Sequence, residues 1–337
     1  MATTTRRGII AAGNFIVDDV KIINTWPEQD MLASILSETS SNGGGPYNVL
    51  KDLAAMDPAL PLAAAGLVGA DARGEWILRD CKAANIDVKQ LHITEQAPTS
   101  YTDAMTVSST GRRTFFHQRG ANALLTEQHV NFTQTPARHL HLGYLMLLDA
   151  MDSFVQEGRT RASLLLEAAL QAGLTTSVDM VSTENEKFRE IALSSLPFTD
   201  LLVINEIEAG KVLQASLQGC TLEQCAQAAV KLLEAGVRRQ VVIHFNGGAA
   251  VATKDGQIVT SRSLQLPAGY IAGATGAGDA FAAGYLYGWH EEWAIEKSLT
   301  LGNAAAAACL SHPTPSAGLL PVAECLKLSG KYGTKDS

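Results

Sequence analysis

The stretch Gly273-Ala274-Thr275-Gly276-Ala277-Gly278-Asp279-Ala280-Phe281 gathers small residues and one carboxylate just ahead of a helical pattern. Small side chains let main-chain amides converge where a helix begins, and the unsatisfied N–H groups and helix dipole there favour an anion such as a transferring phosphoryl group. Asp279 then stands where a carboxylate can take the proton of a hydroxyl attacking phosphorus. Taken by itself the stretch supports a second reading equally: Asp279 stabilises a helix N-terminus and the glycines permit tight packing.

Two further clusters carry groups that suit a polyol. Ser41-Asn42-Gly43-Gly44-Gly45-Pro46-Tyr47-Asn48 precedes the helical pattern Val49 to Met56 and offers backbone groups and the Asn48 amide, although a Gly-Pro turn that merely starts a helix has the same look. Gly13-Asn14-Phe15-Ile16-Val17-Asp18-Asp19 places acidic side chains at the end of the first strand, where α/β proteins commonly bind ligands. Other chemistry-bearing types read as structural. His139 and His141 alternate on a strand with no third metal ligand nearby. Cys220 and Cys225 sit at a helix start as incidental thiols, and Tyr285, Trp289 and Trp293 near helical spacing read as packing rather than a sugar-stacking platform.

These residues need a scaffold. Runs such as Leu201-Leu202-Val203-Ile204 and Val241-Val242-Ile243 have the length and branching of strands buried on both faces, alternating with helical patterns over Gly74 to Ala84, Arg159 to Ala172, Thr221 to Ala235 and Asp279 to Trp289. That alternation predicts a parallel sheet built from βα units. Phe15 to Ser41 and Thr99 to Gln118 differ: the second is hairpin-like around Ser108-Ser109-Thr110-Gly111, and together they predict a small β-lid. Ile35, Tyr101, Met105 and Phe115 are expected on its covered face. The run Ala304 to Ala308 predicts close helix packing.

Composition narrows the classes. In 337 residues, 26 Lys+Arg against 34 Asp+Glu give a net charge of -8, which excludes the positive field of a non-specific nucleic-acid or anionic-membrane binder. With 46% hydrophobic and 18% charged residues the chain buries a sizeable core. Five cysteines without CxxC spacing argue against a disulfide framework or zinc site and for a cytoplasmic location. Met1 to Arg7 run straight into the strand-like Gly8 to Ala12, with no export signal expected, and no membrane span is expected anywhere.

In order along the chain, these motifs resemble the ribokinase-like, PfkB-type carbohydrate kinase family. Thr275 to Phe281 match the specific half of its late signature D-T-x-G-A-G-D-x-F, and Gly43-Gly44 with Asn48 match G-G-x-x-x-N. Val68 to Gly74 match V-G-x-D-x-x-G; Gly111 to Phe115 resemble G-x-R-T-F, Gly120-Ala121-Asn122 the G-A-N turn, and Asn205 to Glu208 the N-x-x-E motif.

The resemblance implies an αβα sandwich with a mainly parallel central sheet and a β-sheet lid. The body would span 1–14, 43–98 and 119–330, the lid 15–42 and 99–118, and a flexible tail 331–337. It implies ATP as phosphoryl donor with Mg²⁺, Asp279 as general base, and Gly276, Ala277 and Gly278 as anion hole. Asn14, Asp18, Gly44, Asn48 and Arg113 would contact the acceptor. Asn205, Glu208, His244, Gly247, Thr275 and Asn303 would serve the nucleotide, with Glu208 holding magnesium through water.

Departures refine this expectation. Gly273 stands where the signature has its first Asp, which puts activation by a monovalent cation in doubt. His244 to Ala249 replace the usual T-x-G-x-x-G, so a reshaped donor pocket is expected; Gly143 replaces an acidic residue of ribokinases proper, which argues against ribose itself. The expected activity is phosphorylation of a small sugar or sugar derivative. A nucleoside kinase, or a silent sugar- or nucleotide-binding regulator, is the alternative. The lid cannot bury both faces of its own small sheet, so a homodimer through it is expected.

Overall fold

The computed structural model describes residues 6–156 and 158–335. The reading of Met1 to Thr5 lies outside them, as do the last two residues of the expected tail. Fifteen strands are described: β1 Ile9–Gly13, β2 Ile16–Ile23, β3 Ile35–Gly43, β4 Leu62–Gly69, β5 Ile86–Thr94, β6 Tyr101–Val107, β7 Arg113–Gln118, β8 His139–Leu145, β9 Phe154–Gln156, β10 Arg159–Thr160, β11 Thr175–Met180, β12 Leu201–Asn205, β13 Gln240–Phe245, β14 Gly248–Thr253 and β15 Ile258–Arg262. The helices are α1 Gly45–Met56, α2 Ala72–Ala83, α3 Asp149–Asp152, α4 Arg161–Gln171, α5 Phe188–Ser195, α6 Glu206–Leu213, α7 Leu222–Glu234, α8 Ala277–His290, α9 Ile295–Leu310 and α10 Val322–Tyr332.

Nine strands form one sheet in the order β15-β14-β13-β12-β11-β8-β1-β4-β5, parallel from β13 through β5, with β14 and β15 added antiparallel. Successive residues of each buried strand point to opposite layers. Ile10, Ala12, Val241 and Ile243 pack with α4 to α7, whereas Ile9, Ala11 and Val242 pack with α1, α2, α8, α9 and α10. The result is an αβα sandwich, each fully buried Leu or Ile contributing roughly 1.5–3 kcal/mol.

Helix starts follow local chemistry. The Thr160 side chain accepts from Ser163 N (3.2 Å), so α4 begins at Arg161, later than the sequence pattern suggests. Pro46 sits within the first two positions of α1, where its missing N–H costs nothing. Helices α8 and α9 approach closely where Gly284 meets Gly302: a Cβ at Gly284 would fall 2.8 Å from Leu301 O and 2.9 Å from Gly302 Cα.

A second sheet, β3-β2-β6-β7, is mixed: β2 pairs β6 in parallel and the outer pairs are antiparallel. Its register corrects the expected covered face. Phe115 lies opposite Ala104, so it shares a face with Ala104, while Tyr101 and Met105 point to the other side. Ile35 and Phe115 are 52% and 61% exposed, beside exposed Leu36 and Phe116.

Two other expectations change. Cys220 and Cys225 are joined as a disulfide at the start of α7, their Cα atoms 6.4 Å apart across one helix-entry turn. The tail is pinned as far as Lys335 rather than free, since Gln265 N donates to Gly333 O and Lys335 N to Ser263 O. No helix of the described residues is long and apolar enough to cross a membrane.

Candidate active site

The chain leaves β1 for β4 on one side and returns to β8 on the other, which opens a crevice beyond the carboxyl ends of β1 and β8. Asn14 lies in it, buried. Its N–H donates to Gly143 O (3.1 Å), its Oδ1 accepts from Tyr144 N (3.2 Å), and its Nδ2 has no partner among the described residues. Gly44, at φ 99, caps α1 against Asn14: a Cβ there would fall 2.3 Å from Asn14 O. One turn on, Asn48 Nδ2 donates to Asp279 Oδ2 (2.8 Å) and leaves its own Oδ1 unpartnered. A buried amide group without a partner costs free energy that a ligand hydroxyl would recover.

Asp279 falls in the first turn of α8, which starts two residues earlier than the periodicity suggests. The cap Gly276 adopts φ 82 and supplies no side chain to the helix N–H groups; a Cβ there would fall 2.6 Å from that of Pro315. The amides of Ala277 and Gly278 therefore stand at an uncapped helix start beside the carboxylate, the arrangement that favours a phosphoryl group. Burial raises the Asp279 carboxyl to about 6, against the lowering effect of the bonds from Tyr144 and Asn48.

Tyr144 is one of two residues that the sequence reading missed. Its hydroxyl donates to Asp279 Oδ1, so both oxygens of the carboxylate are engaged. Its neighbour Gly143 drew attention only as a missing acid; the phenol's role depends on a crossing between β8 and α8 that no local pattern announces. Asp179, at the end of β11, was missed for the same reason.

A cavity of about 240 Å³ joins Tyr144, Asp179, Glu208, His244, Gly278 and Asp279. Asn205 and Glu208 reciprocally cap α6: Asn205 Oδ1 accepts from Glu208 N (2.9 Å) and Glu208 Oε2 from Asn205 N (3.0 Å). Burial lifts Glu208 to about 7, and burial followed by the Glu208 charge pushes Asp179 well up. His244 packs on Phe281 with ring centroids 5.0 Å apart and lies beside Gly278; burial lowers its imidazole to about 4, keeping it neutral.

On the lid, Asp18, Thr102 and His117 lie opposite one another across β2, β6 and β7 and share a face. Burial raises Asp18 to about 6, opposed by a bond from Thr102 and assisted by Asp279. Arg113 does not stand free for the acceptor: its Nη1 donates to Thr275 Oγ1 (2.8 Å), linking lid to body. Asn303 donates to Ser261 Oγ (2.9 Å) and Arg262 O (3.2 Å), so its amide nitrogen is engaged by β15. Gly247 lies in the turn between β13 and β14, outside the lining of the Asp279 cavity.

A buried carboxylate beside an uncapped helix start, at the switch point of a parallel sheet with a small sheet attached, defines a phosphotransferase acting on an alcohol. The chain matches the model of the pfkB family carbohydrate kinases over residues 14–322 and belongs to that family of ATP-using enzymes. It is 26% identical over 302 residues to an ATP-dependent ribose-1-phosphate kinase of Halopiger xanaduensis, covering 89% of this chain and 90% of that one. It is 24% identical over 305 residues to adenosine kinase 2 of Arabidopsis thaliana, covering 84% of each. The ribokinase of Arabidopsis thaliana, solved with ribose and ATP, superposes with a TM-score of 0.77 at 21% identity over 96% of this chain and 98% of that one.

Proposed function

We propose that the protein transfers the γ-phosphoryl group of ATP to a hydroxyl of a small sugar or sugar derivative, with Asp279 as general base. The observation that carries this reading is the convergence on Asp279 of an uncapped helix start, the Tyr144 hydroxyl and the buried Asn48 amide, with the buried Asn14 amide held on the Tyr144 backbone and each of the two amides keeping one unpartnered polar atom. Asn14, Gly44, Asn48 and Asp18 would orient the acceptor so that one hydroxyl displaces Tyr144 from Asp279 Oδ1 and gives up its proton there. The amides of Gly276, Ala277 and Gly278 would stabilise the charge on the phosphoryl oxygens, with neutral His244 as a further donor. Thr275, Gly247 and Asn303 would border the nucleotide through backbone rather than side-chain groups.

Asp179 and Glu208 fit magnesium: two neighbouring buried carboxylates, each raised by burial and by charge close by, are oxygen ligands whose charge a cation would balance. When bound, Mg²⁺ neutralises phosphate charge; Asn205 holds the Glu208 carboxylate through its amide (2.8 Å). Gly273 offers no carboxylate for a monovalent cation, so we expect no potassium requirement. The exposed Ile35, Leu36, Phe115 and Phe116 support a homodimer through the lid, and the need for ATP supports a cytoplasmic location.

A nucleoside acceptor is the second reading, favoured by Val20, Ala104 and Phe115, which follow Asp18 outward on one lid face and suit a base. ADP release measured over sugars, sugar acids, ribose 1-phosphate and nucleosides separates the two. Turnover of nucleosides alone defeats the sugar reading, and tight sugar binding without turnover with any nucleotide or metal defeats the enzyme reading.

A further inference from the structure

A second cavity, of about 420 Å³, opens at the opposite edge of the sheet from Asp279. It lies at the starts of β8, β11 and β13, where His139, Thr175 and Gln240 stand, whereas the ends of the same strands carry Tyr144, Asp179 and His244. Its volume is that of a small-molecule site. We propose that this cavity is a second ligand site, which takes a ribose-sized ring carrying one phosphate group.

Three features of the lining point to that chemistry. Arg138 and Arg239 supply two guanidinium groups, whose planar forks match phosphate. Both can be released cheaply. Arg138 pairs with Glu292 (3.2 Å), whose side chain is 80% exposed. Arg239 pairs with Asp200 (3.2 Å), but Arg238 holds the same oxygen at 2.9 Å, so the buried carboxylate keeps a partner when Arg239 turns to a ligand.

Trp289 and Trp293 supply flat apolar walls. Lys297 lies 3.4 Å from the Trp293 centroid and Tyr287 meets the same ring edge-on, whereas no aromatic or cationic partner of Trp289 is found among the described residues. Its indole suits the apolar face of a sugar or a base. The interior is polar without charge. His139 is neutral, with one ring nitrogen on Thr175 (2.8 Å) and the other on Ser177 (2.7 Å), and Tyr285 donates to Gln240 Oε1 (2.9 Å). Such groups match ring hydroxyls.

Calorimetric titration of the full chain, its nucleotide site saturated with Mg²⁺ and a non-hydrolysable ATP analogue, tests the proposal. The probes are ribose 5-phosphate and AMP, which differ by the base, with inorganic phosphate as the anion alone. At least one ester should bind one to one with Kd below about 1 mM. Arg239→Gln and Trp289→Leu should each weaken it about tenfold or more, while Asp18→Ala should leave it unchanged. Arg239 is at the surface, so its variant keeps the test open if Trp289→Leu fails to fold. Binding abolished by Asp18→Ala but not by Arg239→Gln would belong to the active site and overturn the proposal. So would no binding of either ester at about 10 mM, or phosphate binding as tightly as the esters.

Discussion

Replacing Asp279 with Asn should make the protein more stable and nearly inactive, and both effects can be worked from its surroundings. The amide keeps the size of the carboxyl and can preserve both contacts, its oxygen accepting from Asn48 and its nitrogen donating to Tyr144 Oη. The charge is lost. A carboxyl held at about 6 instead of 3.8, buried to 5% exposure, costs about 3 kcal/mol of folding free energy once ionised, at ~1.4 kcal/mol per pH unit. The native state binds this proton more tightly than the unfolded chain. The stabilising effect is therefore complete below about 3.8 and is lost as pH rises through about 6. Urea unfolding without ligands should show Asp279→Asn ahead of wild type by about 3 kcal/mol at pH 8 and by about 1 kcal/mol at pH 4.5. Under conditions where chemistry limits turnover, kcat should fall by roughly 10² or more. Equal stability at both pH values would refute the burial argument, and an unchanged kcat would refute the base.

Tyr144→Phe removes a bond that lowers the Asp279 carboxyl, so the acid limb of kcat/KM should move above about 6; a limb that stays in place would mean the phenol does not act on the base. Arg113→Ala cuts the link from lid to Thr275, and should raise the acceptor KM about 2- to 10-fold and increase ATP hydrolysis relative to transfer. Steady-state assays in which neither quantity moves would dismiss that link as incidental. Phe115→Glu with Ile35→Glu should convert a dimer to a monomer in light scattering, and a monomeric wild-type protein at micromolar concentration would sink the lid interface.

The fold and half of the site were readable because their chemistry is contiguous in the chain. Gly276 to Asp279 form a helix start whatever the rest of the molecule does, and Asn48 follows its glycines at a fixed helical offset. Asn205 and Glu208 announce themselves as a capping pair three residues apart. What could not be read depends on where distant segments cross. Tyr144 touches Asp279 because β8 ends under α8, and Asp179 meets Glu208 only once β11 and β12 are paired. The lid face was misassigned because its register, Ala104 against Phe115, is set by tertiary pairing rather than by alternation within either strand. Tyr285, Trp289 and Trp293 do pack on the core as their spacing suggests, but spacing cannot reveal that Arg138 and Arg239 border the same space.

The parallel pairing of β2 with β6 governs the order in which the molecule assembles. Val17 meets Tyr101 only after the chain has passed through β4, α2 and β5, so the small sheet cannot close until that part of the body exists. With Leu36, Phe115 and Phe116 left outside, the outer strands β3 and β7 add little burial to hold the finished sheet in place. It should open first and close last, as a unit separate from the nine-stranded sheet. In native-state hydrogen exchange, amides of β2, β6 and β7 should therefore lose protection well before those of β1 and β8, and acceptor bound at Asp18 should slow them selectively. Exchange at one common rate across both sheets would mean that the lid and body unfold together.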